Sequence, residues 1–179
     1  MYELLAWLEG SALGAALRGL GVWTYGIVNL VHILGIATLF GSVLAIDLRL
    51  LGLWRRVSLA AVATPTVPLA GIGFLIAALS GVCLLSVNAT EYDGNPFLLL
   101  KLAAIALGVT NVAALHFVPA WRARRAREPA AGERVQLAVA GGVSLACWLT
   151  AVGAGRMIGY WSRTRPFSGS FAAKRSSSS

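Results

Sequence analysis

The chain has 179 residues, of which 58% are hydrophobic and only 12% are charged, whereas a soluble domain carries about 25% charged residues. So few charges cannot cover a water-soluble fold of this size, and the high hydrophobicity excludes a disordered chain, so the composition predicts an integral membrane protein. The net charge of +8 comes from bases between and beyond the apolar segments, where they set membrane orientation, and we expect no nucleic-acid partner.

Residues 1–20 differ from the rest of the chain because they are too short and too polar to span a membrane. Glu3 and Glu9 precede the first base, Arg18, so the segment lacks the basic start of a signal peptide. Its leucines fit one stripe along a helix, formed by Leu4, Leu5, Leu8, Leu13 and Leu17. We therefore expect a short amphipathic helix that lies in the membrane interface.

Four apolar segments follow, each long enough for the about 20 helical residues that cross a bilayer. They cover residues 22–46, 65–87, 96–118 and 135–158. Each must be a helix because lipid offers no partner to an unpaired backbone group. Pro65 is expected to open the second helix, and Asn95–Pro96 to cap and open the third. The sequence predicts an all-α fold, with an antiparallel four-helix membrane bundle over residues 21–160 and a basic, serine-rich, disordered tail over residues 161–179.

Small residues at intervals of three to seven positions form a stripe on each predicted span, and such stripes mark close packing between membrane helices. The stripes are Ala37, Gly41 and Ala45; Gly73, Ala77 and Gly81; Ala104 and Gly108; and Gly141, Ser144, Ala151 and Gly155. Trp148 lies in the middle of the last stripe. Together the four stripes predict one compact bundle in which these faces are in contact.

Two loops concentrate arginines next to the predicted spans. These arginines are Arg49, Arg55, Arg56, Arg122, Arg124, Arg125, Arg127 and Arg134, whereas the loop over residues 88–95 has no base. By the positive-inside rule, the two basic loops face the cytoplasm and both termini face the periplasm. The basic tail is the feature that opposes this orientation, with Arg156, Arg163, Arg165, Lys174 and Arg175.

Two histidines stand out inside the spans, where polar groups are costly and therefore often functional. His32 lies deep in the first span, and Gly35 leaves space beside its ring. It could ligate haem iron, relay a proton or form a hydrogen bond to another helix. His116 lies near the inner end of the third span, where interfacial water or a free carbonyl could satisfy it. A rise of about 1.5 Å per residue separates the two by roughly 15 Å in depth, which argues against one haem bound by both.

The other polar residues of the spans have structural interpretations. Lys101 is expected to extend its ammonium group to the headgroups, and Asn111 to bond to a neighbouring helix. Asp47 ends the first span beside Arg49, and we expect an ion pair there. No nucleotide-binding or metalloprotease motif occurs, so we assign no catalytic residue or metal ligand, and an enzyme is the least favoured class.

Segments that start at His32 and at Asn95 resemble an uncharacterised family of small bacterial inner-membrane proteins. The likeness rests on His32-Ile-Leu-Gly-Ile-Ala-Thr-Leu-Phe-Gly-Ser, on Asp47-Leu-Arg-Leu-Leu-Gly, and on Asn95-Pro-Phe-Leu-Leu-Leu-Lys101 with Asn111 and His116. The opening segment Trp7-Leu-Glu-Gly-Ser-Ala-Leu-Gly is also similar to the start of that family. That family has four predicted spans and no assigned activity. It is distantly similar to membrane cytochromes b and to copper-resistance membrane proteins, whose bundles use histidines on helices. The resemblance implies a bacterial inner membrane and carries over His32 and His116 as candidate haem ligands.

Two functional hypotheses follow. The first is a b-type haem protein that passes electrons to a redox partner, with His32 as an axial ligand of haem b and His116 as the candidate second ligand. The second is a non-enzymatic membrane component, either a partner subunit or a small permease for an ion or metal, in which His32 forms an interhelical hydrogen bond. Both hypotheses place the protein in contact with the lipid bilayer.

Overall fold

The computed structural model describes residues 2–161, and this part of the chain is all-helical, without strands. Two short helices come first, α1 (Tyr2–Glu9) and α2 (Ala12–Gly19). The long helices are α3 (Val22–Leu50), α4 (Leu59–Val87), α5 (Pro96–Phe117) and α7 (Ala131–Trp161). Shorter segments connect them: a 3₁₀ turn (Ala89–Tyr92), α6 (Pro119–Arg122) and a second 3₁₀ turn (Ala123–Arg125). Beyond Trp161, the tail that we expect to be disordered lies outside the described residues.

All four long helices are long and apolar enough to cross a membrane, which confirms that prediction. The shortest has 22 residues, about 33 Å at 1.5 Å per residue, whereas a hydrocarbon core is about 30 Å thick. At most 33% of the most apolar stretch of any of these helices is buried inside the protein. Leu79, Leu107 and Val139 are more than 60% exposed. The surface of these helices is therefore largely aliphatic.

Helix α4 begins six residues earlier than predicted, at Leu59 instead of Pro65. Two side chains accept hydrogen bonds from the first free N–H groups of the helix. The Ser58 hydroxyl accepts from the Ala61 N–H at 3.1 Å, and the Glu128 carboxylate accepts from the Leu59 N–H at 2.8 Å. These caps stabilise the additional turns, so Pro65 lies inside the helix and does not open it.

The N-terminal segment forms two helices instead of the single amphipathic helix that the sequence predicts. The chain turns at Gly10–Ser11, where the Ser11 hydroxyl caps α2 by accepting from the Gly14 N–H at 3.3 Å. Both helices pack against the end of α4 or the following 3₁₀ turn. The Glu9 carboxylate accepts hydrogen bonds from the Thr90 N–H and hydroxyl at 2.8 and 2.7 Å, and these bonds lower the pKa of Glu9. The segment is thereby tied to the body of the protein. We call this end, formed by residues 2–20 and the 3₁₀ turn Ala89–Tyr92, the leader end.

The long helices pack in the order α4, α3, α7, α5, so that α3 and α7 are central. Helices α3 and α4 are closest where glycines face the opposite backbone. A β-carbon on Gly35 would lie 2.8 Å from the Ala77 nitrogen, and one on Gly73 would lie 2.9 Å from the Leu39 α-carbon. Residue numbers thus rise along α3 as they fall along α4. Helices α4 and α5 make no comparable contact, so the four helices do not form a closed ring in the described region.

Three of the four predicted small-residue stripes lie at helix contacts. Gly81 lies against His32, Gly108 against Trp148, and Gly155 against Lys101. The prediction that the stripe on α3 forms its contact face is wrong, because Ala37 is exposed and Gly41 faces open space. The packed face of α3 is formed by His32, Gly35, Leu39, Val43, Ile46, Asp47 and Leu50. The helix is rotated from the expected orientation because α4 approaches it at Gly35.

The opposite end of the protein, which we call the arginine end, consists of residues 48–58 and 117–134. Its buried residue Arg49 donates to a Glu128 carboxylate oxygen at 3.0 Å and to the Val57 carbonyl at 2.8 Å. The indole of Trp121 is buried beneath the Arg124 guanidinium, which lies 4.1 Å from the ring centroid. These contacts hold the two basic loops together.

Candidate functional site

His32 lies at the interface of α3 and α4, and its imidazole is oriented by a serine. Its Nδ1 is 3.0 Å from the Ser80 hydroxyl oxygen. That hydroxyl donates its hydrogen to the Ile76 carbonyl, so it accepts from the Nδ1–H of His32. The ring packs on Gly81, where an added β-carbon would lie 3.1 Å from Cε1. The neutral imidazole therefore carries its hydrogen on Nδ1 and its lone pair on Nε2.

His116 lies at the arginine end, far from His32. Its Nδ1 donates to the Val112 carbonyl at 2.8 Å, and its ring meets the Trp121 indole edge-on with centroids 6.1 Å apart. Trp121 belongs to the same buried cluster as Leu50. Along α3, Leu50 lies about 27 Å from His32 at 1.5 Å per residue. The structure does not bring the two candidate haem ligands to one site.

Lys101 extends across α7 from α5. A β-carbon on Gly155 would lie 3.5 to 3.7 Å from the Nζ, Cε and Cδ atoms of this lysine. Its ammonium group is near enough to His32 for an electrostatic interaction between the two side chains. Together with Ser80, these residues form a polar layer inside the half of the protein nearer to the leader end.

Asp47 is the candidate functional residue whose role we did not predict. Its side chain is only 3% exposed and faces the Ser144 hydroxyl on α7. Within the described residues, its Oδ2 atom has no hydrogen-bond partner. The expected ion pair with Arg49 is wrong, because residues two positions apart on a helix point in different directions and Arg49 pairs with Glu128.

The sequence did contain a signal for this position. Asp47 follows Leu39 and Val43 at intervals of four residues, which places all three on one face of α3. Across from it, Asn111 donates to the Ala140 carbonyl of α7 at 2.9 Å, which confirms that Asn111 bonds to a neighbouring helix. Asp47, Ser144 and Asn111 form a second polar layer, nearer to the arginine end.

A mainly apolar layer, which also contains the buried Ser42, separates His32 from Asp47. Leu39, Val43 and Trp148 form a buried cluster, against which Phe40, Ala70 and Phe74 pack. Phe74 meets the Trp148 indole edge-on at a centroid distance of 6.3 Å. Trp148 is 5% exposed, and its Nε1–H lacks a hydrogen-bond partner in the part of the chain that the structure describes. The interior thus alternates between polar, apolar and polar layers along the helices.

Each of the two polar layers contains a group that can exchange a proton. The Nε2 lone pair of His32 and the carboxyl group of Asp47 can each accept and release a proton. Among residues 2–161, no group of three or more histidine, cysteine, aspartate or glutamate side chains is placed to hold a metal ion.

No protein-family model, curated protein or solved structure matches this chain. The resemblance to small bacterial inner-membrane proteins therefore stays a prediction.

Proposed function

We propose that the chain is a multi-pass protein of a bacterial inner membrane, in which α3, α4, α5 and α7 cross the bilayer as an antiparallel bundle. The aliphatic surface of these helices supports this placement. Trp7 and Trp23, which are 71% and 88% exposed, suit interfacial anchors at the leader end. By the positive-inside rule, the arginine end faces the cytoplasm and both termini face the periplasm.

We propose further that the protein is a small, non-enzymatic permease for protons, in which the carboxyl group of Asp47 takes up and releases the proton. The observation that carries this proposal is the buried Oδ2 atom, which has no hydrogen-bond partner among residues 2–161. An ionised carboxylate is costly in such surroundings unless a positive charge accompanies it. A bound metal cation needs several oxygen ligands, whereas a proton needs only the carboxyl oxygen. The burial of Asp47 therefore favours a proton.

The remaining interior groups then have defined roles. His32 holds α3 to α4 through Ser80, and its Nε2 lone pair is a proton acceptor on the periplasmic side of the apolar layer. A hydrophobic constriction of this kind blocks conduction while it is dry. The Nε1–H of Trp148, which has no partner within the described part of the chain, can donate a hydrogen bond to a water molecule inside that layer. Proton movement therefore requires transient entry of water between the two polar layers.

The decisive experiment measures proton flux into liposomes that contain the purified full-length protein and a pH-sensitive dye, driven by a potassium diffusion potential. We expect flux above that of empty liposomes for the wild type and its loss in Asp47→Asn. Asp93→Asn, in the loop at the leader end, is the matched control and should conduct like the wild type. Equal flux in the wild type and Asp47→Asn would refute the proposal, as would flux no higher than in empty liposomes.

The second candidate is the electron-transfer protein with haem b. One observation favours it: Ser80 fixes the Nδ1–H of His32, as the outer partner of a metal-ligating histidine does, and leaves Nε2 for iron. The residues do not fit a haem held by both histidines, because His116 lies at the other end. Gly35 and Ala77 bring α3 and α4 into contact one turn away, so a porphyrin does not fit between these two helices. The haem protein therefore ranks second.

Absorption spectra of the oxidised and dithionite-reduced protein, purified after haem-supplemented expression, separate the two candidates. A Soret band that disappears in His32→Ala and persists in His116→Ala would support the haem protein with His32 as ligand. A spectrum without a Soret band would exclude it and leave the permease.

A further inference from the structure

A cavity of about 400 Å³ opens at the leader end between α2, α3 and α4. Arg18, Tyr25 and Tyr92 supply polar groups to its lining, and Val28 and Leu84 lie one turn further along α3 and α4. The size falls within the about 300–1,000 Å³ of ligand pockets. This cavity is separate from the layers that contain His32 and Asp47, and its lining is amphipathic.

The guanidinium of Arg18 is held rigidly at the edge of this cavity. Its Nη1 donates to the Ser86 and Val87 carbonyls at 3.4 and 3.1 Å, and its Nη2 donates to the Glu9 carbonyl at 2.9 Å. A guanidinium has five N–H groups, so two remain, including Nε–H, without an acceptor among the residues described. Such fixed, charged donors match the oxygens of a phosphate group.

An acidic residue lies beside Tyr92, which lines the cavity. Glu91 is exposed next to Tyr92, and the pKa of Tyr92 is raised by burial and by its interactions with Tyr25 and Glu91. A carboxylate and two aromatic rings are the groups that attract an ammonium ion. The lining thus contains a positive group at Arg18, and the negative Glu91 lies outside the lining beside Tyr92, which together form the charge pattern complementary to a zwitterion.

We propose that this cavity binds one molecule of phosphatidylethanolamine from the periplasmic leaflet. The lipid phosphate accepts from Arg18, the ammonium lies beside Glu91 and Tyr92, and one acyl chain follows the apolar wall at Val28 and Leu84. A lipid with a purely anionic headgroup would gain the contact with Arg18 but would have no ammonium group to pair with the Glu91 carboxylate. The proposal rests on the membrane placement and is independent of proton movement.

Native mass spectrometry of the purified full-length protein, titrated with phosphatidylethanolamine or with phosphatidylglycerol of the same acyl chains, tests this site. We expect the wild type to prefer phosphatidylethanolamine. Arg18→Gln should weaken both lipids by about tenfold, as expected for loss of charge-assisted hydrogen bonds. Glu91→Gln should remove the preference between the lipids while leaving phosphatidylglycerol bound. Arg156→Gln, a base on α7 outside the cavity, is the matched control and should bind like the wild type.

Three results of the same titration would overturn the proposal. Equal binding of both lipids by the wild type, or an unchanged preference in Glu91→Gln, would show that the headgroup does not lie in this cavity. A loss in Arg156→Gln as large as in Arg18→Gln would indicate nonspecific attraction of lipid to bases. Arg18 bonds to the last carbonyls of α4, whereas Glu91 makes no such bond among the described residues, so Glu91→Gln stays informative even if Arg18→Gln fails to fold. The measurement involves no proton gradient, so its failure would not bear on the permease.

Discussion

Glu128→Ala should be one of the most destabilising single changes at the arginine end. Its carboxylate accepts from both the Leu59 N–H, at the start of α4, and the Arg49 guanidinium, whose side chain is only 10% exposed. Loss of a helix cap costs about 1 kcal/mol. Removing one partner of a buried ion pair costs about 3–5 kcal/mol. Because Glu128 is itself 46% exposed, water already screens this pair, and the expected contribution is about 1–2 kcal/mol. The expected loss in free energy of unfolding is about 2–3 kcal/mol.

Glu133→Ala is the matched control for this change. Glu133 also pairs with an arginine, Arg127, at 2.7 Å, and also accepts a backbone N–H, that of Ala130, at 2.8 Å. The difference is that Arg127 is 51% exposed, so water solvates it once its partner is removed. We therefore expect Glu133→Ala to lose the cap and little more, and so to be less destabilising than Glu128→Ala.

The assay is equilibrium unfolding of both variants in mixed micelles, followed by far-ultraviolet circular dichroism. In the background Arg49→Leu, Glu128→Ala should cost only about 1 kcal/mol, because no buried charge is left to strand. A Glu133→Ala variant at least as destabilised as Glu128→Ala would show that the buried Arg49 guanidinium does not need its partner. An unchanged cost of Glu128→Ala in the Arg49→Leu background would show the same.

Three further outcomes are expected. Ser80→Ala removes the acceptor of an imidazole N–H between two helices and should lower the free energy of unfolding by about 0.5–1.5 kcal/mol in the same assay. Gly35→Leu should prevent folding of the α3–α4 pair, since even a β-carbon would lie 2.8 Å from backbone, whereas Gly41→Leu, at open space, should yield monodisperse protein on size exclusion. The pKa of Glu9 is lowered by its bonds to Thr90, so this link is present above about pH 4.5 and is lost as the pH falls through the lower folded pKa. The protection factors of residues 2–19, which correct for the intrinsic pH dependence of amide exchange, should therefore fall on acidification in the wild type and be independent of pH in Glu9→Gln. Protection factors that do not change with pH in the wild type would contradict this.

The four long helices and several of their ends could be predicted because they depend on local properties of the chain. A segment of about 20 apolar residues must satisfy its own backbone when it lies in lipid, and a helix is the structure that does so. Capping is equally local: the Asn95 side chain accepts from the Phe97 N–H at 2.9 Å, as the Asn95–Pro96 pair indicates. The start of α4 depends on local signals only in part: the Ser58 cap is adjacent in the chain, whereas the Glu128 carboxylate that accepts from the Leu59 N–H comes from a distant part of it.

Which face of α3 points inward followed only from the packed structure, whereas the small-residue stripes of the other three long helices do lie at helix contacts. A helix in lipid is apolar on its outer face as well as on its inner face, so the apolar pattern of α3 does not distinguish Gly41 from Gly35 as the point of contact. The close approach of the α4 backbone at Gly35 makes that choice. The same rotation turns His32 towards Ser80 and carries Asp47 into the interior, away from Arg49. The candidate site therefore depends on contacts between residues far apart in the chain, which local patterns do not specify.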